Sequence, residues 1–196
     1  MVEILRWVSL GTWVVWLVVY WGAGIGLVSN FLRALRSSRF SYDRFFIFGL
    51  VVLSNIILWT GYLILRGRIG DPLAAGDSLV ISIGSAMLLV GASGTFWCRR
   101  QMRESWTAHT TLVENHRLID HGPYHVIRHP IYAFSCLMTA GTVLVFPTWW
   151  NIPAGLGMIL LYIFKLQVEE RMLVQYLPGY REYRGRVPYR IIPRIW

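Results

Sequence analysis

Apolar and polar residues fall along this chain in long blocks, not in the alternating stripes of a surface helix. Five apolar runs stand out, at residues 8–28, 45–65, 79–98, 130–146 and 152–168. The first three and the fourth carry no charge, and the fifth carries only Lys165. A helix rises about 1.5 Å per residue and a bilayer core is about 30 Å thick, so runs of this length predict membrane crossings. The pattern predicts an all-α integral membrane protein with five transmembrane helices. The last two runs are joined by the short uncharged tip PTWWNIP at 147–153, which predicts a tight helical hairpin with tryptophans at the membrane interface. Asn151 and Pro153 suit the start of its second helix, and Asp77 or Ser78 suits the cap of the third span. Past the last run, Glu170, Leu173 and Leu177 keep helical spacing. The helix is expected to continue beyond the lipid, to break at Pro178-Gly179, and to be followed by a short second helix and an extended end. The first run begins near residue 4 and is too long for the core of a signal peptide, so it is expected to be retained. Gly22 and Gly26 are expected to let another helix approach, and mid-span Asn55 to bond a neighbouring helix.

Composition supports this reading. Of 196 residues, 55% are hydrophobic and only 15% charged, against about 25% charged in soluble domains. The net charge of +9 does not mark a nucleic-acid binder, because the basic residues sit between apolar runs. Their distribution sets an expected orientation. The intervals after the first and third runs hold four and five arginines, the tail six; the interval at 66–77 is balanced and the hairpin tip neutral. Five spans put all three basic segments on one side, which the positive-inside rule makes cytoplasmic, with the N-terminus outside. Cys98 and Cys136 fall at or inside predicted spans, and neither a disulfide nor a metal motif is expected.

The polar interval 115–132, NHRLIDHGPYHVIRHPIY, carries four of the five histidines. His121 and His125, and His125 and His129, are four apart, but Gly122-Pro123 and Pro130 interrupt any shared helical face, so no metal site is expected. His129-Pro130 should open the fourth span, with proline harmless in a first turn. A second polar cluster, Lys165, Glu169 and Glu170, with Tyr180 and Tyr183 beyond, lies at the far end of the hairpin. Antiparallel pairing brings the hairpin's two ends together, so the clusters should meet at the cytoplasmic surface. One glutamate is expected to pair with Arg128 or a tail arginine and the other to face a ligand. Lys165 and Glu169, at i,i+4, are a candidate pair. The tail arginines are expected to contact lipid headgroups, and His121 and His125 to lie on the surface.

These residues carry a resemblance. HRLIDHGPYHVIRHPIY is similar to the H-x-L-V-x-x-G-x-Y-x-x-x-R-H-P-x-Y motif of the isoprenylcysteine carboxyl methyltransferases and their bacterial and archaeal relatives. Its RHPxY core is shared with phospholipid methyltransferases. A second half-motif follows in order: Glu169-Glu170, Leu173, Tyr180, Tyr183 and Val187-Pro188. The resemblance covers residues from about 106 to 193. It implies a membrane methyltransferase that uses S-adenosylmethionine in a cytoplasm-facing pocket. His116, Leu118, Tyr124, His129, Tyr132 and Glu170 would bind the cofactor. Lys165, Arg128 and Glu169 would act on the acceptor, a lipophilic small molecule or prenylated substrate drawn from the bilayer. Residues 1–98 would be a three-span scaffold and 99–196 the catalytic part. Lys165 stands where the family often has arginine, and Phe134 where it usually has a small residue, which is expected to narrow the pocket or its lipid entrance.

A sulfonium methyl is already activated, so the protein need supply mainly orientation and a suitable field. A carboxylate acceptor needs a positioning cation, Lys165 or Arg128; an amine needs a base, Glu169 or Glu170. The expected reaction is carboxyl O-methylation of an isoprenylcysteine-like acceptor, with phospholipid or amine N-methylation as the alternative. An NADPH-dependent membrane reductase or a membrane adaptor are the remaining readings.

Overall fold

The computed structural model describes residues 1–22, 41–69, 77–102 and 118–196, and these residues are helical with no strand. Among the described residues six helices follow one another: α1 Val2–Gly22, α2 Ser41–Leu65, α3 Ser78–Met102, α4 Pro130–Val145, α5 Asn151–Tyr176 and α6 Tyr180–Arg186, with a 3-10 turn at Gly122–His125 before α4. Among the described residues α1, α2, α3 and α5 are long and apolar enough to cross a membrane. The fourth expected span corresponds to α4, a shorter apolar helix of 16 residues, a rise of about 24 Å. Pro130 opens it, and the chain leaves the helix at Phe146-Pro147. Gly24, Gly26 and the first basic interval up to residue 40 lie outside the described residues, as does 103–117.

Contacts along the helices give their directions. Ser9 bonds Ser85 at 3.2 Å, the Trp16 indole N–H donates to the Thr95 hydroxyl at 2.7 Å, and Arg99 reaches the Val19 carbonyl at 3.1 Å, so α1 and α3 run parallel. Gly84 lies against Gly141 and Gly91 against Met138, so α3 and α4 run antiparallel. Gly155 meets Val143, and Tyr132 meets Tyr162 and Glu169, so α4 and α5 form the expected antiparallel hairpin. Gly49 meets Leu161 and Gly157 meets Leu53, which sets α2 antiparallel to α5. The C-terminal ends of α1, α3 and α5 therefore gather at one end of the bundle, with the N-terminal ends of α2 and α4.

Close packing of α4 on α3 is what places the loop before α4. A Cβ on Gly91 would lie 2.5 Å from the Met138 backbone nitrogen, and one on Gly84 2.8 Å from the Gly141 carbonyl oxygen. The ring of Phe134 rests on Gly94, where a Cβ would overlap it. The bulk expected to narrow the pocket is thus seated against α3. Polar side chains join the helices as expected in lipid, where small residues and hydroxyls serve as contacts, but the donors are indoles. Trp13 donates to the Thr142 hydroxyl at 2.7 Å, as Trp16 does to Thr95. Asn55, expected to bridge helices, instead donates to the Val51 carbonyl of its own helix at 2.8 Å and faces outward. At the hairpin tip the Asn151 N–H donates to the Thr148 hydroxyl at 2.9 Å, and the Asn151 side chain donates to the Phe146 carbonyl at 3.0 Å. Trp149 and Trp150 are exposed there. Asp77 caps α3 through the Leu79 N–H at 3.0 Å, as its sequence position suggests.

Replacing Gly91 by valine should force α4 off α3 and lower stability by about 1–3 kcal/mol. Gly11→Ala, on an exposed surface with no neighbour within 4 Å, should cost nothing. Thermal unfolding in detergent checks both; equal melting temperatures for G91V and wild type would contradict this packing.

Candidate functional site

The site is built where the loop before α4 meets the far end of α5. Gly122 takes a left-handed φ of 61°, which glycine adopts without strain. Pro123 then starts the 3-10 turn and buries itself with Tyr124, leaving His121 and His125 exposed, as expected. Ile127, Arg128 and His129 are buried on the approach to α4. On the other side α5 runs on past the hairpin to Tyr176, and the chain turns at Gly179, φ 79°, into α6. Leu173, Leu177, Tyr180, Tyr183 and Val187 form a small apolar cluster there, and Leu118 packs on it. Tyr183 donates its hydroxyl to the Tyr124 carbonyl at 2.6 Å, so α6 is tied to the 3-10 turn.

The central contact is an ion pair. Arg128 Nη2 donates to Glu170 Oε1 at 2.7 Å, with both side chains almost fully buried. Arg128 Nη1 also donates to the Val187 carbonyl at 2.7 Å. The other oxygen of Glu170 accepts from Arg190 Nε at 2.7 Å. Both carboxylate oxygens are therefore taken by cations, one from the first half-motif and one from the tail beyond the second. Backbone bonds run alongside: the Arg128 N–H donates to the Tyr189 carbonyl and the His129 N–H to the Arg190 carbonyl, each at 2.9 Å. The tail arginines were expected at lipid headgroups. Arg190 is instead part of the site, and Arg186 pairs with Asp120 at 3.0 Å on its surface. Sequence reading had no spacing by which to single out Arg190, because its contacts depend on how the tail folds back after Pro188.

Beside the ion pair, Tyr132 donates its hydroxyl to Glu169 Oε2 at 2.6 Å. Lys165, one turn earlier on α5, is buried and lies towards α2, its ammonium 5.3 Å from the centre of the Phe46 ring. The expected i,i+4 pair is replaced by two diverging contacts. A run of aromatic rings connects them. His129 and Tyr132 lie 6.0 Å apart, Tyr132 and Tyr162 6.2 Å, and Tyr162 and Phe46 6.2 Å between centroids.

Among the polar atoms in this buried region that have no protein partner are Arg128 Nε, His129 Nε2 and the Tyr180 hydroxyl. A buried polar group left unpaired costs about 1–3 kcal/mol, so such atoms mark where a ligand can bond. Burial lowers the His129 pKa against the opposing pull of Glu169 and Glu170, with Arg128 and Arg190 adding to the depression; its ring is neutral at pH 7. Burial, followed by the negative charge of Glu170, raises the Tyr180 phenol above its ordinary range, so it stays a hydrogen-bond donor. Burial pushes Tyr183 up to about 12. Tyr180 was not among the expected site residues; its place in the second half-motif was the available signal. Of the expected residues, Leu118, Tyr124, Arg128, His129, Tyr132, Lys165, Glu169 and Glu170 all lie at this end of the bundle. His116 lies outside the described residues.

Two comparisons with known proteins bear on this arrangement. A family model described as phospholipid methyltransferase matches residues 79–178, from α3 through the hairpin to the turn before α6. The chain is also 30% identical over 91 residues to the Delta(14)-sterol reductase TM7SF2 of Mus musculus, a match covering 41% of this chain and 20% of that protein. The chain thus spans about a fifth of the length of that relative.

If the buried pair holds the site together, Arg128→Met should cost about 3–5 kcal/mol, because a charge is left buried with half its compensation. Adding Glu170→Leu should recover a large part of that loss. Chemical unfolding in detergent measures both, and a double variant no more stable than R128M would contradict the role assigned to the pair.

Proposed function

The chain belongs to the phospholipid methyltransferase family, so it is an enzyme, a membrane methyltransferase, and from that premise we propose that it uses S-adenosylmethionine to methylate a lipid-like or prenyl-like acceptor. The observation that carries the reading is the meeting of the two half-motifs in one buried site, with the orphaned His129 Nε2 and Tyr180 hydroxyl beside the Arg128–Glu170 pair.

The residues present fit such a cofactor. Neutral His129 and protonated Tyr180 can bond its amino-acid polar groups. Glu169 accepts from Tyr132 through one oxygen, and its other oxygen can face a cation. Tyr124, His129 and Tyr132 would line the methionine side, with His116 and Leu118 towards the adenosine. Glu170, held from both sides by arginines, is a fixed wall of the pocket and a poor base. When bound, the cofactor supplies an electrophilic methyl on a sulfonium. The protein's part is then orientation and exclusion of water, since in-line geometry is the main requirement.

For the acceptor, Lys165 is the cation placed beside the aromatic run, and it would hold an anionic group there, which supports carboxyl O-methylation of an isoprenylcysteine-like molecule. Arg128, with both terminal nitrogens engaged, is left to shape the site. N-methylation of an aminophospholipid is the second reading. It is favoured by the family description and by Glu169, whose open oxygen can take the amine proton. In a bilayer we place α4 as a fifth, short crossing, its tryptophan-bearing tip on the outer side and the site on the cytoplasmic side. The basic segments after α1, α3 and α5 support that orientation; a C-terminal reporter active outside the cell would overturn it. Residues 99–196 would carry the catalytic elements and 1–98 the scaffold, with α3 contributing packing to both.

The sterol reductase similarity sets the rival, an NADPH site. Calorimetry in detergent should show binding of S-adenosylhomocysteine and none of NADPH, with His129→Ala and Glu170→Ala each weakening it at least about tenfold, a loss of about 1.4 kcal/mol. NADPH binding without adenosylhomocysteine binding would reverse the reading. Methyl transfer offered prenylcysteine, fatty acid and aminophospholipid in parallel should favour prenylcysteine; transfer to the aminophospholipid alone would establish the second reading.

A further inference from the structure

We propose that Arg190 is a positioning residue for the cofactor site, acting through Glu170 and through the backbone of His129. The proposal deepens the functional reading above and rests on it for the identity of the ligand.

Arg190 makes contacts in three directions at once. Its Nε donates to Glu170 Oε2 at 2.7 Å. Its carbonyl accepts the His129 N–H at 2.9 Å, next to the bond from Arg128 to the Tyr189 carbonyl. Its guanidinium carbon lies 5.6 Å from the Trp196 ring centre, over the face of the indole. The tail is shaped to hold it there: the backbone N–H groups of Arg190, Ile191 and Ile192 converge on the Trp196 carbonyl at 2.8, 3.0 and 3.0 Å. Arg194 closes this loop with a left-handed φ of 65°. Residues 190–196 thus form a compact loop that sets Arg190 against the Glu170 carboxylate of α5 and against His129, the residue before α4.

The geometry says what arginine does there that lysine cannot. An arginine can donate from Nε in its plane while its flat face stacks on an indole; an ammonium is a point charge that does one or the other. With Arg128 on one oxygen and Arg190 on the other, Glu170 has no rotational freedom left. The same residue's carbonyl fixes the peptide of His129, whose side-chain Nε2 is the atom left open. Glu170 and His129 come from different half-motifs, and Arg190 is bonded to both, so it sets their spacing. It touches the ligand through neither.

A purely electrostatic role would behave differently. Removing the Arg190 charge makes the site more negative, which would favour the sulfonium of S-adenosylmethionine over the neutral thioether of S-adenosylhomocysteine. A positioning role weakens both alike. The test is calorimetry in detergent on the full chain with both ligands, for wild type, R190Q, R190K, E170Q and R190Q/E170Q. R190Q should weaken both ligands by about tenfold, and R190K should recover part of the loss. In the E170Q background, R190Q should cost less than about twofold, because residues acting as one unit are not additive. Wild-type affinity in R190Q, tighter binding of the methionine form alone, or full additivity with E170Q would each overturn the proposal. Should R190Q not fold, R190K decides the question: with a native circular-dichroism spectrum it must still bind both ligands more weakly. Wild-type protein that binds neither ligand would overturn the cofactor reading itself, a result distinct from any of these.

Discussion

The Arg128–Glu170 ion pair is the contact on which the other features of this site depend. Charges are expensive to bury in an apolar bundle, and a single unpaired one would be worse than none. Here Glu170 is compensated twice, by Arg128 and Arg190, and Arg128 is further satisfied by the Val187 carbonyl. That compensation binds three separate segments: the loop before α4, the end of α5 and the tail. Each of the other placements, including His129 beside Tyr132 and α6 under the 3-10 turn, presupposes that these segments are held in register.

The pair can form only because the helices beneath it are packed closely. Gly84 and Gly91 on α3 admit the backbone of α4, and Gly94 admits Phe134. The Asn151 and Thr148 bonds at the hairpin tip fix the register of α4 against α5. A shift of one residue at the tip would turn Tyr132 away from Glu169 and Arg128 away from Glu170. Chemistry at one end of the bundle is thus specified in part by small residues and caps at the other. α4 is also the shortest of the long apolar helices.

Much of this was legible in the chain. Block-like hydropathy located the five long helices described, and the hairpin tip, the Pro178-Gly179 break with the short helix after it, and the Asp77 cap were read from turn and capping chemistry. One glutamate was expected to pair with Arg128 or a tail arginine, and Glu170 pairs with one of each. What escaped was set by three-dimensional packing. Asn55 looked like an interhelical donor, yet it faces outward, and the indoles of Trp13 and Trp16 do that work. Phe134 looked like an obstruction until Gly94 took its ring. Lys165 and Glu169 sit at a favourable spacing for a pair, but neighbours on α2 and α4 draw them apart. Arg190 could not be distinguished from five other tail arginines, because nothing in the local sequence says that the tail folds back. The choice between a carboxylate and an amine acceptor was equally beyond local pattern, since Lys165 and Glu169 offer groups suited to each.

The most direct measurement is an experimental structure of the protein in lipid with S-adenosylhomocysteine bound. The ligand should lie between the loop before α4 and the end of α5, with His129 Nε2 and the Tyr180 hydroxyl both in hydrogen-bonding contact and the Arg128–Glu170 pair intact. A ligand bound elsewhere in the bundle, or one seated here with both of those atoms still unpaired, would contradict the central claim that the two half-motifs form a single cofactor pocket.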